Sequence, residues 1–260
     1  SPDRSSRLPL LFSFAYWRAR HQLDLIGELA QVADVLIDSG AFTNFQARRK
    51  AALRGADSRP ITLAEYLAAC RTLDGTVWEY IQLDVIRDPQ ATRENLLRML
   101  DQGLRPMPVF VHGEALARVP ELVSINPRIC VAGGVTGSTT AKARYQQVAA
   151  ASGDQARIHA LGFVRWPDVL QLPIASGDSS SFSAGGRFAA LTFFDPRTGF
   201  WAAAGNRLAQ GTLPARLQAR AVGQLRAYGV TVADLRDPRF PRGTMAVPGL
   251  VSAFASLQLH

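Results

Sequence analysis

Apolar residues fall in short continuous runs along this chain, at residues 10–16, 35–37, 80–85, 107–111, 128–132, 158–161 and 172–175, bounded by Gly, Pro or Asp. Runs without a polar alternation predict strands buried on both faces, as parallel strands are. The intervening segments carry helix signals. Thr62-Leu-Ala-Glu65 forms a capping-box pattern, and the segment from Asp88-Pro89 to Gly103 opens with an Asp-Pro start and closes on a Gly stop. The segment 215–228 places Leu217, Ala221 and Leu225 on one helical face, with Arg216 and Arg220 on the solvated side.

Seven strand-helix units, with an eighth strand at residues 188–194, match an α/β fold of the (β/α)₈ TIM-barrel type; a doubly wound open sheet is the alternative. After Asp178 the pattern changes. Residues 188–194 and 200–204 flank Asp195-Pro-Arg-Thr-Gly199, with Pro early and Gly late, which predicts a β-hairpin. No repeat or Pro/Gly/Ser-rich linker divides the chain. A single domain is expected over 1–260, with barrel core and hairpin at 8–205 and a basic segment, 206–260, completing it.

Composition sharpens this picture at three points. With 47% hydrophobic and 19% charged residues the chain has ample material for a core. Its formal charge is +8, and residues 185–260 hold nine Arg against three Asp, so the C-terminal third is the expected face for a polyanion. The only cysteines, Cys70 and Cys130, are too few and too isolated for a zinc subdomain, and they read as buried thiols of a reducing, cytoplasmic compartment. Residues 8–17 follow Arg4 and Arg7 as a leader would, but no small-residue cleavage site follows; they read as a buried first strand. No run approaches a membrane span.

The chemistry collects where the apolar runs end. In Val35-Leu-Ile-Asp-Ser-Gly-Ala-Phe42 and Ile174-Ala-Ser-Gly-Asp-Ser-Ser-Ser181, Asp38 and Asp178 stand at the junction where α/β enzymes place reactive groups. Asp84 follows the third run, His112 the fourth and Gly133-Gly134 the fifth, while His159 lies within the sixth, ahead of Gly162. Two carboxylates can share the work of nucleophile and proton carrier, as in retaining glycosyl transfer. Each residue also has a structural reading. Asp38 or Asp178 can cap a helix, Asp84 can be a turn acid, the histidines can be satisfied lining residues, and the glycine pair can be a tight turn.

Taken in order, Asp38-Ser-Gly-Ala-Phe42, Leu83-Asp84, Val111-His112-Gly113, Gly133-Gly134-Val135, His159-Ala-Leu-Gly162, Asp178 and Arg187 resemble the tRNA-guanine transglycosylase superfamily, most closely its branch that inserts 7-deazaguanines into DNA. The resemblance spans roughly residues 10–205. It implies a barrel that exchanges guanine in a polynucleotide, DNA before tRNA, for a free 7-deazaguanine base. Asp178 corresponds to the nucleophile and Asp38 to the general acid/base. Asp84 matches the carboxylate on the Watson–Crick edge of the base, His112 replaces a usual Gln, and Gly134 matches a backbone contact to the base carbonyl, with Gly133 and Ser39 beside these groups. His159 stands at a base-stacking position, Phe42 lies near the base, and Arg187 aligns with an arginine near the polynucleotide. The resemblance also allows a homodimer or an accessory protein. The structural zinc site is missing, Ala184 replaces an arginine six residues past the nucleophile, and no acidic residue follows the glycine pair in Val135-Thr-Gly-Ser138.

Two other readings fit the same residues. A metal-dependent barrel hydrolase or lyase would use Asp38, Asp84, His112 and Asp178 to bind a divalent ion. A polynucleotide-binding partner without turnover would keep only the scaffold. No P-loop is present, and neither a nucleotide cofactor nor a metal is expected for base exchange.

Overall fold

The computed structural model describes residues 7–54, 59–132, 138–162, 171–178, 190–195, 199–227 and 229–236. Contacts divide the chain into two compact units, one of residues 1–163 with 172–178 and the other of residues 164–171 with 179–260. The fold is mixed α/β with parallel sheets.

In the first unit the order is β1 (Leu8–Ser13), α1 (Arg20–Leu29), β2 (Ala33–Asp38), α2 (Ala41–Arg54), α3 (Leu63–Leu73), β3 (Glu79–Tyr80), α4 (Pro89–Asp101), β4 (Val109–Phe110), α5 (Val119–Ile125), β5 (Arg128–Ala132), α6 (Ser138–Ala151), β6 (Arg157–Leu161) and β7 (Ile174–Gly177). Strands β1-β2-β3 form one parallel sheet and β4-β5-β6-β7 another, each in chain order. A parallel bridge between Ile81 and Met107 joins the two. The apolar runs 80–85 and 107–111 thus yield shorter strands than expected, and the reason is local. The Gln82 side chain takes over the ladder, accepting the Val109 N–H at 2.9 Å and donating to the Thr92 carbonyl at 2.5 Å.

The central residues of β2, β5 and β6 are buried in continuous runs, as two-sided coverage requires. Two large clusters pack helices on the strands. One joins Val35 and Ile37 to Leu23, Ile26, Tyr66 and Leu73, and the other joins Ile129, Val131 and Ile158 to Leu122, Tyr145 and Val148. A further cluster unites Leu36, Ile81, Met107, Val109, Val111 and Cys130, residues drawn from successive strands. The expected caps form. Thr62 Oγ1 accepts the Glu65 N–H while the Glu65 carboxylate accepts the Thr62 N–H, and Asp88 caps α4 ahead of Pro89. Cys70 and Cys130 are buried free thiols, and burial pushes the Cys70 thiol up to about 12.

The second unit contains the predicted hairpin, β8 (Ala190–Asp195) antiparallel to β9 (Gly199–Ala204), followed by α7 (Gly205–Gln210) and α8 (Ala215–Ala227). Leu191, Phe193, Leu208, Ala221, Leu225 and Val230 form its core. Leu217 departs from the expected helical face, being 39% exposed. The inward stripe of α8 takes in Gln218 instead, whose amide donates to the Leu208 carbonyl at 3.0 Å. Among the described residues, no helix is long and apolar enough to cross a membrane.

Candidate active site

The C-terminal ends of β1, β2, β6 and β7 and the loop after β3 bring three aspartates and a histidine into mutual electrostatic reach. Asp38 ends β2 opposite Ser13 of β1 in the ladder. One of its oxygens, Oδ2, accepts the Gly40 N–H at 3.1 Å, closing the turn that leads into α2. Ser39, fully buried, accepts the Ala41 N–H at 3.3 Å and donates to Asp84 Oδ1 at 3.4 Å. The helix-entry role foreseen for Asp38 is therefore shared with Ser39, which also links the two carboxyl groups.

Gly40 is essential to this turn. Its φ is +77°, and a Cβ there would stand 2.7 Å from the Ala15 Cβ and 2.8 Å from the Ala15 nitrogen. Only glycine accepts both the left-handed backbone and that close approach.

Burial pushes the Asp38 carboxyl up to about 6, opposed by the Ser13 hydroxyl and the Gly40 N–H, and the Asp178 charge pushes it further. Ser13 Oγ is itself buried outside strict hydrogen-bond geometry, so it moderates the rise without cancelling it. Burial also lifts Asp84 to about 7, and the Asp38 charge adds to the effect. Desolvation wins in both because the charged form loses more hydration than the few local donors return. Asp84 sits on a loop held by α4: the Asn95 amide donates to the Leu83 carbonyl at 3.0 Å, and Thr92 Oγ1 accepts the Val85 N–H at 2.9 Å.

Asp178 follows β7 and is bound to β6 twice. Its backbone N–H donates to the Ala160 carbonyl at 3.2 Å, and its Oδ1 accepts the Gly162 N–H at 2.8 Å. His159 stands next to it, 3% exposed, with Nδ1 2.9 Å from Ser176 Oγ and Nε2 3.4 Å from Asp178 Oδ1. The Asp178 side chain itself remains 28% exposed. One carboxylate oxygen is thereby held in place on an accessible group, the arrangement an oriented nucleophile needs.

The remaining sequence-derived residues separate. Phe42, on the first turn of α2 just past this site, is 50% exposed and presents a ring to solvent. His112 follows β4. It is exposed, and its Nδ1 lies 3.3 Å from Arg144 Nη1, while Arg144 also donates to the Val111 carbonyl and lies over the Phe110 ring. Gly133, Gly134 and Arg187 lie outside the described residues. Ser13 and Ser176 were not foreseen. Each is a lone hydroxyl at the end of an apolar strand, a mark that a one-dimensional reading treats as a strand terminus. Among the described residues, no group of three or more His, Cys, Asp or Glu side chains is arranged to hold a metal ion.

No protein-family model matches the chain, and no curated protein matches it either.

Proposed function

We propose that this chain is a base-exchange transglycosylase. It replaces guanine in a polynucleotide, DNA in preference to tRNA, with a 7-deazaguanine through a covalent glycosyl intermediate on Asp178. One observation carries the reading: Asp178, accessible and held by one oxygen, shares a site with two buried carboxyls, Asp38 and Asp84, that are poised near neutral pH. The chain-ordered parallel strands and the cluster drawn from successive strands also favour closure into a (β/α)₈ barrel.

In this mechanism an Asp178 carboxylate oxygen attacks the sugar C1′ as the bond to guanine N9 breaks, and protonated Asp38 supplies the proton that the departing base takes up. The ionised Asp38 then receives the N9 proton of the incoming 7-deazaguanine, whose N9 attacks C1′ and releases the Asp178 carboxylate. One glycosidic bond is broken and one is made, so the exchange is balanced without an external energy source. A group pushed to about 6 serves both directions, because neither protonation state is far from the working pH. Asp84, once ionised, accepts two N–H groups from the base edge. Phe42 offers a face on which an unstacked base can rest.

The test is incubation of the protein with radiolabelled guanine and either DNA or bulk tRNA, with Asp178→Asn as control. Label retained in DNA and absent with the variant supports the proposal. Label in tRNA alone would reverse the substrate preference, and activity abolished by chelators would favour the metal-dependent hydrolase.

A further inference from the structure

A cleft of about 550 Å³ opens beside the candidate active site, between the segment after β1 and the helices α1 and α3. Phe14, Leu23 and Ala69 give it an apolar, buried floor, and Arg18, Arg20 and Arg59 stand on its walls. Its floor is tied to the site through the backbone of Asp38, since the Phe14 N–H donates to the Asp38 carbonyl at 2.8 Å and the preceding Ser13 pairs with Asp38 in the ladder.

The three arginines are not equivalent. Arg20 pairs with Asp24 at 3.2 Å, and Arg59 pairs with Glu65 at 2.9 Å, both at exposed positions. Arg18 has no carboxylate partner among the described residues, and its Nη1 is buried without a hydrogen-bond acceptor. The Arg18 side chain as a whole is only half-buried on the cleft wall, so an anionic oxygen entering the cleft meets the accessible part of a guanidinium whose hydrogen-bonding capacity the fold leaves unfilled. The apolar floor keeps water, and therefore screening, low on one side of the charge. The first turn of α1 beside it carries no acidic residue.

We infer that this cleft holds a backbone phosphate of the DNA strand that carries the target guanosine, with Arg18 as its principal contact. The inference rests on the base-exchange reading and adds a docking point for the strand. Arg18 fits the task because a guanidinium meets two phosphate oxygens at once. Asp24 and Glu28 line the groove that continues along α1, so the positive stretch is short and suits one or two phosphates rather than a long tract.

The test is binding of a fluorescein-labelled single-stranded DNA 12-mer, followed by anisotropy over a range of salt without free base or turnover. Each phosphate contact to a single strand contributes about 0.7 to the slope of log K against log salt. Arg18→Gln should weaken binding and lower that slope by about 0.7. Arg18→Lys should keep the slope and lose part of the affinity, and Arg20→Gln should have a smaller effect because its arginine is already paired. Arg157→Gln removes the same charge at the opposite end of β6 and should leave the slope unchanged. An unchanged slope in Arg18→Gln, or equal losses in Arg18→Gln and Arg157→Gln, overturns the inference. Inorganic phosphate that binds near Arg18 by ³¹P NMR without displacing the 12-mer also overturns it, assigning the cleft to a free anion. Because no exchange is measured, failure of base exchange leaves this result readable, and failure here leaves base exchange standing.

Discussion

Replacing Asp84 with Asn removes one ionisable group while keeping the shape of the side chain and the oxygen that accepts from Ser39. In the folded protein the Asp84 carboxyl is pushed up from 3.8 to about 7. At 1.36 kcal/mol for each pH unit of that interval, keeping the group ionised in the fold costs roughly 4 kcal/mol. The sign follows from linkage. Between the unfolded and folded pKa values the folded chain holds a proton that the unfolded chain has released, so the wild type loses stability as pH rises from about 4 to about 7. Asn carries no such cost. The variant should therefore exceed the wild type by only about 1 kcal/mol at pH 4.5 and by roughly 4 kcal/mol at pH 8. Part of the effect comes from the charge on Asp38, so the gain should shrink in an Asp38→Asn background. Urea unfolding followed by near-ultraviolet circular dichroism at the two pH values reads the difference. A variant less stable than the wild type at pH 8, or shifted equally at both, refutes the reasoning and means that Asp84 is ionised and well partnered in the fold.

Two more predictions rest on the same turn and loop. If only ionised Asp84 accepts the base edge, the binding-competent fraction rises from about a tenth at pH 6 to about nine-tenths at pH 8, so calorimetry should find a 7-deazaguanine bound about tenfold more tightly at pH 8. Affinity that is flat or falling over this range would contradict the role of Asp84. Gly40→Ala brings a methyl into the Ala15 backbone and forces a left-handed residue, so it should destabilise the chain by roughly 1–3 kcal/mol and misplace the Asp38 carboxylate. Thermal melting and exchange activity measured together should both fall, and a neutral substitution would show that the turn is freer than its geometry.

The sequence exposed those features that are local. Continuous apolar runs located β1, β2, β5, β6 and β7, and the Thr62 and Asp88 caps and the β8-β9 hairpin followed from short-range chemistry. The shortness of β3 and β4 was not legible, because it depends on the Gln82 side chain crossing to Val109 and Thr92. The site divides in the same way. The strand-end positions of Asp38 and Asp178 could be read from the turn residues after them, but their proximity depends on sheet order. His159 was expected to face a base. Its contacts with Ser176 and Asp178 come in addition, across a β6-β7 pairing whose register shifts at Ile158/His159, and no sequence spacing announces them. His112 was placed by its strand-end position and by the resemblance, and its contact with Arg144 on α6, a helix with no obvious link to it in sequence, was not legible.

The central claim is that Asp178 carries the sugar. Its most direct test is denaturing electrophoresis of the protein incubated with a labelled guanosine-containing DNA strand in the absence of free base, followed by peptide mass analysis. The account predicts a DNA-linked species mapped to Asp178, absent in Asp178→Asn and released when a 7-deazaguanine is added. An adduct on another residue, or base exchange that proceeds undiminished in Asp178→Asn, would contradict it.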